Sequence, residues 1–98
     1  MLTNFQKRVY NLVRKIPKGK ITTYKTLANK LKSSPRAIGK ALNKNPWPIK
    51  IPCHRVIHAN GKIGGYKLGV KKKIELLKKE GIGIKKEKII NFKNYLNS

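Results

Sequence analysis

TYKTLANKLKSSPRAIGKAL, residues 23–42, is the stretch on which the fold turns. Thr23 offers a side-chain oxygen that can cap a helix, and Leu27, Ala28 and Leu31 then recur at helical spacing. Lys32 to Ser34 reads as a short polar turn. Ser34 can cap the next helix and Pro35 suits its first position. Ala37, Ile38, Ala41 and Leu42 form the inner face of that helix, which runs to about Leu42. Two short helices joined by a tight polar turn make a helix-turn-helix pattern, whose second helix enters a groove of DNA led by its N-terminal residues. Here those residues include Arg36, with Lys40 one turn on. The fold class predicted is mainly α: a small winged helix-turn-helix-like domain with short strands.

Upstream, Thr3 to Ile16 reads as a helix. Thr3 and Gln6 have capping-box spacing, and Phe5, Val9, Leu12, Val13 and Ile16 make one apolar stripe. Pro17 and Gly19 end it, and Lys20 to Thr22 has the look of an extended segment. Downstream, Pro46 and Pro48 exclude a helix over Asn45 to Ile51. Pro52-Cys53-His54-Arg55-Val56-Ile57 follows, then turn signals at Asn60-Gly61 and Gly64-Gly65. Val70 to Glu80 is a helix with Val70, Ile74 and Leu77 on one stripe, joined by Leu76, and Gly81 is its C-cap. Residues 82–98 form a basic C-terminal tail that alternates apolar residues with lysine and suits a hairpin or a short helix. Neither repeats nor a long linker divide the chain, so residues 1–98 read as one domain.

The charge balance names the class of partner. Lys+Arg is 25 against Asp+Glu 3, a formal net charge of +22. Polyanions, nucleic acid first among them, are the natural partners of such a surface. A membrane is the competitor, but no apolar run approaches the roughly 18 residues of a spanning helix. Lys7, Arg8, Arg14 and Lys15 interrupt any N-terminal signal segment. A single cysteine allows no internal disulfide and points to an intracellular setting, the cytoplasm or nucleoid, where free thiols persist.

A lone cysteine is usually a small buried hydrophobe. Cys53 has His54 and Arg55 beside it, and nearby cations lower a thiol pKa toward the nucleophilic thiolate. Glu80 is one of only three acids and sits at a helix C-terminus, where its charge opposes the helix dipole. Glu75 has an ordinary reason to exist, the i, i+4 pairing with Lys79. From spacing alone a lysine-paired surface Glu80 is the simpler reading. A histidine partner would instead make a Cys-His-Glu relay. A cysteine hydrolase would also need an oxyanion hole and a cleft, which nothing in the sequence specifies. Cys53, His54 and His58 lack metal-ligand spacing, so no metal site is expected.

Ile51-Pro52-Cys53-His54-Arg55-Val56 closely resembles the acceptor-cysteine motif of the O6-alkylguanine-DNA alkyltransferases, the methylated-DNA–protein-cysteine methyltransferases. Gly19 to Tyr24, Pro35 to Gly39, Asn45-Pro46, Gly64-Gly65-Tyr66 and Leu76 to Gly81 are similar to further segments of that family, in the same order. The resemblance implies that Cys53 accepts the alkyl group, that His54 takes its proton through a water, and that Glu80 orients His54. It implies that Tyr24 hydrogen-bonds the flipped base, although a partly buried aromatic would also explain it. Arg36 would fill the gap left by the extruded nucleotide, or else contact a phosphate. Asn45 would brace the helix-turn-helix against the active-site strand, or simply turn the chain before proline. Arg55 is counted with the DNA- and base-contacting residues. The main-chain carbonyls of Cys53 and Val56 would read the guanine amino group, and Tyr66 would line the pocket with the loop from Ile63. The implied partner is double-stranded DNA containing alkylated guanine, bound by a monomer in a single turnover without a cofactor.

Three departures from the family stand out. The resemblance begins at the family's DNA-binding domain, so the N-terminal domain of many members, with any metal site it holds, is not expected. Lys67 occupies a place where a small polar residue is common beside the pocket. Trp47 is bulky, and reads as a core residue or a pocket wall. Two rivals remain: the non-catalytic alkyltransferase-like lesion sensors, which resemble the motif with tryptophan in place of the cysteine, and a helix-turn-helix regulator or DNA-coating protein without enzymatic activity.

Overall fold

The computed structural model describes residues 2–97; Met1 and Ser98, the ends of the expected 1–98 domain, lie outside the described residues. Helix α1 is Asn4–Val13, α2 Tyr24–Lys30, α3 Pro35–Asn43 and α4 Val70–Lys79. Strand β1 (Thr22–Thr23) pairs in parallel with β2 (Val56–Ile57), and β3 (Ile84–Lys85) pairs antiparallel with β4 (Lys88–Ile89). The architecture is mainly α with short strands, as the pattern predicts.

Local chemistry accounts for the helix ends. At α1, Gln6 N–H donates to Thr3 Oγ1 (3.0 Å) and Thr3 N–H donates to Gln6 Oε1 (2.9 Å), closing the capping box. The apolar stripe predicts a helix to Ile16, but α1 stops at Val13. Pro17 disfavours helical geometry at the residue before it. The chain instead turns, with Ile16 N–H on Val13 O at 3.0 Å, and still delivers Ile16 to the core at 4% exposure. Thr23 and Ser34 cap α2 and α3 by accepting from Thr26 N–H (3.0 Å) and Ala37 N–H (3.1 Å). Ile38, Ala41 and Leu42 supply the buried face of α3, while Leu31 and Ala37 are only half-buried. Tyr10, which the stripe passed over, is buried and donates its hydroxyl to Ala41 O, tying α1 to α3.

Two apolar clusters meet at the β1–β2 pair. One gathers Val9, Val13, Leu27, Ile38, Leu42, Cys53 and Val56 between the first three helices. The other gathers Ile21, Ile57, Ile63, Leu77, Ile82 and Ile89 beneath α4 and the tail. Successive strand side chains point to opposite faces, so Val56 serves the first cluster and Ile57 the second. The tail forms a hairpin and then a 3-10 turn at Phe92–Tyr95. Ile89 N–H donates to Gly61 O (2.9 Å), and Ile21 exchanges backbone bonds with Tyr95 O (2.8 Å) and Asn97 N–H (2.9 Å).

Candidate active site

Three prolines, Pro46, Pro48 and Pro52, keep the approach to the cysteine out of helical geometry. Asn45, with 0% exposure, does the positioning. Its Oδ1 accepts from Trp47 N–H (2.9 Å), and its Nδ2 donates to Ile51 O (3.0 Å) and reaches Cys53 Sγ at 3.6 Å. Cys53–Arg55 is a single 3-10 turn leading into β2. Because β2 pairs with β1, that turn is carried alongside the start of α2, where Tyr24 follows β1 directly.

The result is a cavity of about 440 Å³ whose walls include Tyr24, Arg36, Cys53, His58, Tyr66 and Lys67. This is the size and mixed polarity of a small-ligand site. α3 supplies Arg36 at the exposed mouth. Gly64, at φ +75°, lets the loop close: a Cβ there would lie 2.9 Å from His58 Nε2 and 3.4 Å from the Tyr24 hydroxyl. Tyr24 and His58 stack with ring centroids 5.0 Å apart.

Burial pushes the Cys53 thiol above its ordinary pKa, and Asn45, Lys73 and Lys67 only partly offset that. The adjacent His54 and Arg55 therefore do not make a resting thiolate, and the sulfur needs a base at the moment of reaction. His54 is the candidate. Its Nε2 lies 2.9 Å from Glu80 Oε2, and its Nδ1 is buried with no partner among the described residues. Burial lowers the His54 pKa despite Glu80, so the ring is neutral near pH 7. A carboxylate only accepts, so Nε2 carries the proton and Nδ1 keeps a lone pair.

Glu80 is placed by the end of α4. Gly81, at φ +89°, closes the helix with its N–H on Lys78 O (3.0 Å), and Ile82 N–H on Leu77 O (3.1 Å) completes the Schellman pattern. Burial works against the Glu80 carboxylate, but hydrogen bonds from Arg55 and His54 outweigh it and hold its pKa below the ordinary value. Arg55 differs from the sequence expectation. Its Nε and Nη2 grip Glu80 at 2.8 and 2.7 Å, and its Nη1 donates to Ile16 O at 2.8 Å. The guanidinium faces protein on both sides, as a bidentate ion pair favours, rather than a nucleic-acid surface.

The remaining residues divide in the same way. Tyr24, Arg36 and Tyr66 reach the cavity, whereas Asn45 acts beneath it. Val56 is fully buried, and its carbonyl accepts from Lys73 Nζ at 2.8 Å. Burial raises both Tyr24 and Tyr66 to about 12, so both phenols stay protonated donors. Trp47 is neither core nor cavity wall, being 48% exposed. Sequence reasoning missed Lys73. It is 0% exposed, donates also to Gly65 O (3.0 Å), lies 5.8 Å from the Tyr24 ring centroid, and is pushed down to about 8 by burial. A signal existed: Lys73 stands three residues after Val70 and four before Leu77, on the inner stripe of α4.

Comparison with known proteins follows the same outline. The family described as "6-O-methylguanine DNA methyltransferase, DNA binding domain" matches residues 4–82. A methylated-DNA–protein-cysteine methyltransferase of Sulfolobus acidocaldarius is 51% identical over 83 residues, 85% of this chain and 53% of that protein. The chain thus spans about half the length of such curated relatives. The crystal structure of O6-methylguanine-DNA methyltransferase from Pyrococcus kodakaraensis superposes with a TM-score of 0.77 and 44% identity, over 83% of this chain and 48% of that one. The S. pombe Atl1 structure, in complex with damaged DNA containing O6-carboxymethylguanine, gives a TM-score of 0.86 and 28% identity over 100% of this chain and 99% of that one. Since the matched region holds the helix pair, the cysteine turn and the clamped histidine together, the chain belongs to the family of the 6-O-methylguanine DNA methyltransferase DNA-binding domain.

Proposed function

We propose that this protein repairs O6-alkylated guanine in double-stranded DNA by moving the alkyl group onto Cys53. The observation that carries the reading is Cys53 in a cavity wall beside a buried neutral histidine, whose Nε2 is held by Glu80 and whose Nδ1 is free to accept. The alkylated oxygen is stacked inside a duplex, so the nucleotide must be extruded at a cost of a few kcal/mol. Arg36, at the mouth of the cavity on α3, fills the gap it leaves. Tyr24 donates a hydrogen bond to a ring nitrogen of the flipped base. The basic surface supplies the sequence-independent phosphate contacts that damage at any position requires. The protein acts as a monomer on DNA inside the cell.

His54 Nδ1 takes the Cys53 proton through a water. The sulfur then bonds the alkyl carbon while the carbon–O6 bond breaks, its electron pair passing to guanine. A proton returned to the ring leaves neutral guanine. The thioether is stable, so each molecule turns over once and no cofactor takes part.

A second reading, a non-catalytic lesion sensor, is favoured by the end-to-end likeness to S. pombe Atl1. Intact-protein mass spectrometry after incubation with a duplex carrying O6-methylguanine separates the two. Transfer predicts a stoichiometric gain of one methyl group mapping to Cys53, and none in Cys53→Ser, which still binds lesion DNA. Lesion-selective binding by the native protein without any mass gain would establish the sensor instead.

A further inference from the structure

The cavity carries a charge pattern that methyl transfer does not use. Of its wall cations Arg36 already has the nucleotide gap to fill, which leaves Lys67, and no acidic residue lines the cavity. Glu80 is committed to His54 and Arg55, Glu75 pairs on the α4 surface with Lys72 and Lys79, and Glu87 lies in the β3–β4 turn. An O6-methyl group is neutral and small, so it gains nothing from cations around it.

Lys67 lines the same cavity as Cys53. Its stem is exposed, yet its ammonium is tethered, Nζ donating to Asn45 O at 2.6 Å. Asn45 is the same residue whose side chain reaches Cys53 Sγ at 3.6 Å. Through Asn45 the Lys67 ammonium is thus fixed to the residue that positions the sulfur, and its charge offsets a small part of the rise that burial imposes on the Cys53 thiol. An ammonium has three donors, and the tether uses one. The other two are available to a group entering between Lys67 and Cys53. An anion that leaves water for this wall meets a fixed cation and hydrogen-bond donors at once, the arrangement in which charge-assisted bonds are strongest.

We propose that Lys67 is a specificity-determining residue that favours O6 substituents ending in a carboxylate, so that O6-carboxyalkylguanines are preferred substrates of this protein. The inference rests on alkyl transfer to Cys53 and names its substrate class. The step is the same one: Cys53 Sγ bonds the methylene carbon attached to O6, the carbon–O6 bond breaks with its electron pair going to guanine, and the carboxylate stays on the protein as a carboxymethyl thioether.

Single-turnover transfer is measured on three duplexes that differ only at one guanine: O6-methyl, O6-carboxymethyl, and the uncharged isostere O6-carbamoylmethyl. The native protein is expected to transfer carboxymethyl faster than carbamoylmethyl. Lys67→Met is expected to lower that ratio about tenfold or more, the worth of one charged hydrogen bond, and because both rates come from the same variant any general change in Cys53 reactivity cancels from the ratio. Lys67→Arg is expected to keep the ratio, because it keeps the charge and the donors. An equal ratio in the native protein and Lys67→Met, whatever the variant's absolute rate, would overturn the proposal alone. Absence of methyl transfer from the native protein would overturn the reading beneath it.

Discussion

In the proposed mechanism His54 can serve as the base because it is buried. Burial lowers its pKa below the ordinary 6.5, so the neutral base is present above that lowered value and is lost as pH falls through it. Transfer should therefore hold its rate down through pH 6.5 and show its acid limb only below it. Glu80→Gln removes a charge that raises His54, so the limb should move lower still. It also removes the fixed tautomer, since an amide can donate as well as accept, and the rate near neutral pH should fall by about a hundredfold or more. An unchanged single-turnover rate would reduce Glu80 to an anchor for Arg55. Lys73 carries a different cost. Its shift from 10.5 to about 8 corresponds to about 3 kcal/mol against holding the charge where it lies. Lys73→Met should leave the melting midpoint equal or higher, as replacing buried charges often does. It should also move the pH at which iodoacetamide captures Cys53 upward. A clear loss of stability would mean that the bonds to Val56 O and Gly65 O outweigh the buried charge. Cys53 and Glu80 stood out in the sequence as rare residue types in so basic a chain, but spacing alone favoured a lysine-paired surface Glu80, and only the family resemblance joined it to His54. The inward use of Arg55 and Lys73 was missed, because one cation among 25 does not stand out by type, and the only mark on Lys73 was its place on the inner stripe of α4.

Helix caps were legible because each is decided within about four residues: Thr3 with Gln6, Thr23 with Thr26, Ser34 with Ala37. The tail was not. Lys86 and Glu87 both take positive φ (50° and 59°) in the turn between β3 and β4, and neither is the Gly, Asn or Asp that announces such a turn. Packing on Ile21 and Ile63, together with backbone bonds to Gly61 and Ile63, selects the hairpin, and those come from distant segments. The end of α4 shows how an element serves the site. Gly81 takes φ +89°, a region that L side chains enter at a cost of about 1–2 kcal/mol. Nothing lies within 4 Å of a Cβ built there, so Gly81→Ala tests the backbone alone. Its midpoint should fall by several degrees, about 4–8 °C for each kcal/mol in a chain of this length. Gly81→Asn should recover part of the loss, since asparagine tolerates this conformation. Transfer by Gly81→Ala should slow as well, because Glu80 hangs from the same turn. Full stability in the alanine variant would show that the helix ends equally well another way.

Across the entire chain, charge sets two responses of opposite sign. A net charge of +22 is confined within a radius of gyration of 12.2 Å. Screening over about 10 Å at 0.1 M salt acts on the same length, so moderate salt should weaken most of the self-repulsion. Repulsion of this kind destabilises the compact state. The few acids cannot offset it, because Glu80 is engaged internally and Glu75 answers only Lys72 and Lys79. The melting midpoint should therefore rise between about 20 mM and 0.5 M sodium chloride. Affinity for undamaged duplex should fall steeply over the lower part of that range, as phosphate-bound counterions compete with the lysines. Calorimetry and a fluorescence binding titration on the same preparation test both signs. A midpoint indifferent to salt would mean that the cations are spaced widely enough to tolerate one another. Basicity would then be accounted for by DNA alone, at no cost to the fold.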